Sequence, residues 1–121
     1  MRILIVDDEP AVAALLAEAL REGGHVCAVA GSGAEGLAAI QAQVPEAVFL
    51  DLVMPGLSGI DVLAKIREHH PELPIVVVTG RAEAPDLDQV RRLGVTDIVE
   101  KPWALRHLGE ALESLRTGEH A

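Results

Sequence analysis

An α/β domain, built on a five-stranded parallel sheet with helices on both faces, is the fold class this sequence predicts. Three observations carry that expectation. Short apolar runs alternate with amphipathic stretches, strand then helix, five times along the chain. The connections between them are short, so successive strands are joined by crossover helices. Polar residues suited to chemistry fall just past the apolar runs, on the strand edge where open α/β sheets bind ligands.

The first strand is Ile3-Leu4-Ile5-Val6, followed by Asp7-Asp8-Glu9-Pro10. Proline suits a first helical turn, and acids are favoured near a helix N-terminus. Val12, Leu15, Leu16, Ala19 and Leu20 follow at helical spacing, and Gly23-Gly24 supplies a left-handed stop. His25 to Val29 is the second strand. Ser32 with Glu35 reads as a capping box for a helix reaching about Gln43, which Pro45 ends. The third strand runs from Ala47 to Asp51 as a continuous apolar run, the pattern of a strand buried on both faces. Ser58 and Asp61 resemble a second cap, and Ile60, Leu63, Ala64 and Arg67 follow helical spacing up to His69-His70, before Pro71 and Pro74. Ile75 to Val78 is the most β-branched run, closed by Thr79-Gly80. A short helix over Pro85 to Leu93 carries Leu87, Val90 and Leu93, and a fifth strand lies around Ile98-Val99. Lys101-Pro102 leads to a last helix with Leu105, Leu108, Leu112 and Leu115 along one face. Right-handed crossovers leave few topologies, and the flavodoxin-like order 2-1-3-4-5 is the one expected. The sequence reads as a single domain over residues 1–121 with a polar tail from Thr117.

Composition narrows the function. The 121 residues are half apolar, which argues against disorder. No apolar run approaches the roughly 18 residues of a membrane span, and the first one stops at Asp7 without a signal-peptide pattern. A formal charge of −9 argues against non-specific binding to nucleic acid or an anionic membrane. Cys27 is the only cysteine, so no intrachain disulfide forms and a reducing cytoplasm is expected. Within its strand it reads as a small packed hydrophobe.

In the expected order the first and third strands are neighbours, so Asp7-Asp8 and Asp51 meet at the switch point. Thr79 lies beside them and Lys101 one strand beyond. Carboxylates gathered in one crevice repel unless a cation neutralises them, and an all-oxygen cluster suits Mg²⁺. An aspartate can attack phosphorus to give an aspartyl-phosphate, with Lys101 offering a point charge and Thr79 a hydroxyl to the phosphoryl oxygens. Each residue has a plain alternative: helix capping for Asp7-Asp8, a turn for Asp51, a strand position for Thr79, a solvated cation for Lys101. Their joint placement at four strand ends favours one phosphoryl-transfer site.

Ile3 to Glu9, Asp51 with Met54-Pro55-Gly56, Thr79-Gly80 and Lys101-Pro102 resemble the receiver domains of bacterial two-component response regulators, over about Arg2 to Leu115. The resemblance implies a signalling switch whose only chemistry is its own phosphoryl transfer and slow aspartyl-phosphate hydrolysis. Asp51 would be the acceptor, taking the group from a phosphohistidine on a sensor histidine kinase or phosphotransfer protein. Asp8, Asp51 and the Val53 carbonyl would bind Mg²⁺ or Mn²⁺, with Asp7 acting partly through water. Thr79 and Lys101 would contact the phosphoryl oxygens. The face made by the fourth helix, fifth strand and fifth helix would address an effector protein or fused output domain, and the last helix leaves a homodimer open. One position departs from the family: Ile98 stands where Tyr or Phe is common, so the usual aromatic switch with Thr79 is missing. Trp103 reads as packing, and Val53 and Arg81 flank the site where they would tune hydrolysis.

Other classes compete. Gly31-Ser32-Gly33-Ala34-Glu35-Gly36 matches the dinucleotide pattern G-x-G-x-x-G, with Asp51 about 20 residues on. It follows the second strand, though, and leaves Asp7, Asp8, Thr79 and Lys101 without roles. A phosphatase using Asp51 would want a second acid two residues on, where Val53 stands. An interaction module that is never phosphorylated is the third alternative. Adjacent His69 and His70 do not share a helix face, and His25 and His107 show no partner in the sequence.

Overall fold

Five strands, β1 (Arg2–Val6), β2 (Val26–Ala30), β3 (Ala47–Asp51), β4 (Ile75–Thr79) and β5 (Asp97–Glu100), pair in parallel in the order β2-β1-β3-β4-β5. The computed structural model describes residues 1–52, 54, 56, 58–80, 84–100, 109–111 and 113–115. Within them α1 (Pro10–Glu22), α2 (Gly33–Ala42), α3 (Gly59–His69) and α4 (Ala84–Leu93) make the crossovers. Residues 109–111 and 113–115 are helical where the sequence places its last helix.

The alternation of side chains along the strands divides the core in two. On one face Ile3, Ile5, Phe49, Val76 and Val78 pack against Ala13, Leu16 and Leu20 of α1, together with Ala111 and Leu115. On the other, Leu4, Val6, Leu50 and Val77 meet Ile40 of α2, Val62, Leu63 and Ile66 of α3, and Val90 of α4. Both faces of the parallel sheet are therefore covered. All five residues of β3 and all five of β4 are buried, as their unbroken apolar runs imply.

Two helices are rotated from the faces expected. In α1 the buried stripe is Ala13, Leu16, Ala17 and Leu20, while Leu15 is 61% exposed. Large side chains dominate a periodicity reading, but alanines at 13 and 17 let the helix lie close on the sheet. In α3 the buried positions are Gly59, Val62, Leu63 and Ile66, which leaves Ile60, Ala64 and Arg67 on the flank.

The ends of the helices follow their local chemistry. Ser32 caps α2 by accepting from the Glu35 N–H (3.1 Å), but Glu35 returns its carboxylate to the Gly31 N–H (2.8 Å), one residue before the cap. Ser58 caps α3 by accepting from the Asp61 N–H (3.2 Å). Gly24, at φ +90°, supplies the left-handed residue that ends α1. At the far end of α3, Arg67 donates from Nε and Nη2 to the Gly94 carbonyl (3.0 and 2.8 Å) and from Nη1 to that of His70 (2.9 Å). One guanidinium thus ties the C-terminal end of α3 to the turn leaving α4, where helix dipoles favour a cation. Burial draws its pKa below the ordinary arginine value. Cys27 is half-buried against the α1-side core, and burial raises its thiol pKa, in keeping with a packed residue.

Candidate functional site

The strand order sets the site. Val6 pairs with Leu50, so the residues that follow them, Asp7 and Asp51, sit side by side at the carboxyl edge. Asp51 pairs with Val78, which puts Thr79 one step further along β4. Asp7, Asp51 and Thr79 are buried, at 4%, 3% and 2% exposure, although Glu9 and Gly80 on the same edge are exposed. Burying carboxylates at this depth is unfavourable unless they are paired, hydrogen-bonded or metal-bound.

Asp7 is fixed through its backbone and its side chain. Its N–H donates to the Ala30 carbonyl of β2 (3.1 Å), and its Oδ1 accepts from the Glu9 N–H (2.9 Å). That second bond turns the chain into α1 at Pro10, and Glu9 holds the N-cap position without capping through its own side chain. Asp8 is half-buried and Glu9 exposed. One carboxylate oxygen from each of Asp7, Asp8, Glu9 and Asp51 can be chosen so that all lie within 4.8 Å of one another. Such a set offers only hard oxygen donors and open solvent on one side, which fits a hexacoordinate Mg²⁺ or Mn²⁺ that keeps part of its water shell.

Of the residues singled out in the sequence, Asp7, Asp8 and Asp51 are brought together, with Thr79 at the end of the adjoining strand. Lys101, Val53, Arg81, Pro102, Trp103 and His107 lie outside the described residues. Ile98 pairs with Val77 and is partly buried against the core beneath α3 and α4. Two residues further along β5, Glu100 is the register partner of Thr79.

Three features were not anticipated. Glu9 joins the acidic group; its place next to Asp7-Asp8 was the available signal. His25 has a neighbour after all, since its Nδ1 lies 3.2 Å from the Met1 amine, and burial lowers its pKa. Gly59 packs directly on the backbone after Asp51, a close approach that a lone glycine in sequence does not announce. The glycines of the Gly31–Gly36 motif are used structurally. A Cβ on Gly36 would sit 2.8 Å from Val6 Cγ2, so its bareness lets α2 lie against β1. The Gly31 N–H is already taken by Glu35.

The comparisons with known proteins agree with this geometry. A family model described as the response regulator receiver domain matches residues 3–113. A probable transcriptional regulatory protein, TcrX of Mycobacterium tuberculosis, is 37% identical over 118 residues, which are 96% of this chain and 50% of that protein. The nitrogen assimilation regulatory protein NtrX of Azorhizobium caulinodans is 36% identical over 94% of this chain and 26% of its own length. The chain thus spans about half, or less, of the curated relatives it matches. Among solved structures, a CheY-like receiver domain protein of Methanospirillum hungatei superposes with a TM-score of 0.91 at 29% identity, covering 96% of this chain and 94% of that one. The receiver domain of NtrX from Brucella abortus gives 0.86 at 36% identity, covering 95% and 98%. Among the described residues no helix is long and apolar enough to cross a membrane.

Proposed function

This chain belongs to the response regulator receiver domain family, and from that premise we propose that it is a phosphorylation switch with Asp51 as the phosphoryl acceptor. The observation that carries the reading is the grouping of four carboxylates within 4.8 Å at the end of a buried interior strand. Asp51 pairs with Val78 of β4, and the residue before it, Leu50, pairs with Val6 of β1, so its carboxylate stands on a base held from both sides.

In the proposed reaction an Asp51 carboxylate oxygen attacks phosphorus. A P–O bond forms to Asp51 as the P–N bond of a phosphohistidine donor breaks, and the imidazole departs with the electron pair and takes up a proton. With acetyl phosphate the broken bond is P–O and acetate leaves. Asp7, Asp8, Asp51 and the Val53 carbonyl would hold the divalent cation, whose charge offsets the approach of an anionic donor to a cluster of carboxylates. Thr79 is the hydroxyl donor and Lys101 the cation for the transferred oxygens. The partners in this reading are a sensor kinase or phosphotransfer protein upstream and an effector or fused output domain downstream. The setting is the cytoplasm. The domain is residues 1–121 with its polar tail, and it acts as a switch, not as an enzyme on a separate substrate. Thr79 and Ile98 form the switch pair. Ile98 has no hydroxyl or ring to exchange between two states, so transmission rests on aliphatic packing under α4.

The test is intact mass in acid after incubation with Mg²⁺ and acetyl phosphate. The expected result is one added phosphoryl group, abolished by omitting Mg²⁺ and by Asp51→Asn. No added mass with either acetyl phosphate or phosphoramidate sinks the proposal and favours an interaction module that is never phosphorylated.

A further inference from the structure

We propose that Gly59 is the positioning residue for the acceptor, and that its missing side chain sets the geometry of Asp51 and of Leu52 after it. This rests on the role of Asp51 given above. Gly59 is the first residue of α3, and it is buried. A Cβ built there would collide with the Asp51 carbonyl oxygen and with Leu52 Cα and C, all closer than real Cβ contacts come. The colliding atoms are backbone, so no side-chain rotation relieves them. The strand end or the helix must move.

The contact is also directional. The Gly59 N–H donates to the Leu52 carbonyl at 2.9 Å, one residue past the acceptor. That bond turns the Leu52 carbonyl toward α3 and ties the first residue after the acceptor to the start of the helix. Ser58 braces the same corner by accepting from the Asp61 N–H. Two close-packed glycines show how different the demands are. At Gly36 an added methyl meets the side chain of Val6, whereas at Gly59 it meets the main chain of the acceptor itself. A displacement of the Asp51 main chain there carries its side-chain carboxylate with it.

The experiment compares wild type with Gly59→Ala, Ser58→Ala and Ile66→Ala. Ile66 is buried in the same helix, two turns beyond Gly59, so its truncation serves as the reference for stability loss. Urea unfolding, the Mg²⁺ dissociation constant by calorimetry and the initial phosphorylation rate with phosphoramidate are measured under conditions where each variant is folded. Gly59→Ala is expected to lower the rate by about tenfold or more and to weaken Mg²⁺ binding, since small misplacement of a reacting group is costly. Ile66→Ala, though less stable, keeps the wild-type rate and affinity. If Gly59→Ala behaves as Ile66→Ala does, the glycine serves packing alone and the proposal is overturned. Should Gly59→Ala not fold, Ser58→Ala decides: it loosens the same corner without adding an atom, and an unchanged rate and affinity would count equally against the proposal. A wild type that accepts no phosphoryl group would defeat the acceptor reading itself, while the Mg²⁺ arm would still decide the role of Gly59.

Discussion

β3 and β2 are strands of equal length in one sheet, yet every residue of β3 is buried, whereas in β2 only Ala30 is. β3 has a strand on each side and a layer of helices over each face. β2 has β1 on one side and solvent on the other, and Val26 and Val29 are 68% and 50% exposed. Asp51, the proposed acceptor, ends the strand that is buried along its whole length. The edge strand meets the site through the Ala30 carbonyl, which receives the Asp7 N–H. Position in the strand order, more than strand propensity, separates the part of the sheet that carries the candidate site from the part that closes it.

Substitutions at the two strands can break that contrast. Phe49→Ala empties a site 1% exposed at the centre of β3, and a loss of about 3–5 kcal/mol is expected in urea unfolding with the slope unchanged. A loss below about 1 kcal/mol would mean that the centre collapses as readily as the edge. Arg67→Met sharpens the comparison at the opposite end of the central layer. It removes three charge-assisted bonds onto the Gly94 and His70 carbonyls and is expected to cost about 1.5–3 kcal/mol. Faster amide exchange at Gly94 and Val95, with exchange in β1 unchanged, would place the loss where the guanidinium acts. The smallest effect belongs to the edge: Val26→Thr is expected to stay within about 0.5 kcal/mol of wild type by the same urea measurement. A larger loss there would show that β2 is more tightly held than its exposure implies.

Much of this was legible in the residues. Ile75–Val78 and Ala47–Leu50 are apolar without a break, and only a parallel strand covered on both faces accommodates that in so short a run. The alternation with right-handed crossovers left few strand orders, and the flavodoxin-like one expected among them is the order observed, which brings Asp7, Asp8 and Asp51 together. Helix faces were harder to read. Leu15 matched the helical spacing but points to solvent, because alanines at 13 and 17 carry little hydrophobic signal yet define the face that packs. Arg67 fitted an amphipathic pattern as a polar flank, and nothing in the sequence announces that its fork closes on carbonyls 27 and 3 residues away. Gly59 was invisible for a related reason. A close backbone approach is a property of two segments, and the glycine shows only one of them.

The strand order also bears on how the chain is made. β1 is translated first but lies inside the sheet, with β2 and β3 as its two neighbours. On a ribosome it gains β2 soon after that strand emerges, while its other edge stays bare until residues 47–51 have been synthesised. β3 then waits in turn for β4, the most β-branched run in the protein. Until both have docked, the nascent chain presents an unpaired apolar strand edge, the surface on which chains misassociate. The crevice at the centre of the sheet is therefore completed only once β4 has emerged, and slow translation of residues 31–79 prolongs the exposure of the strands that form it.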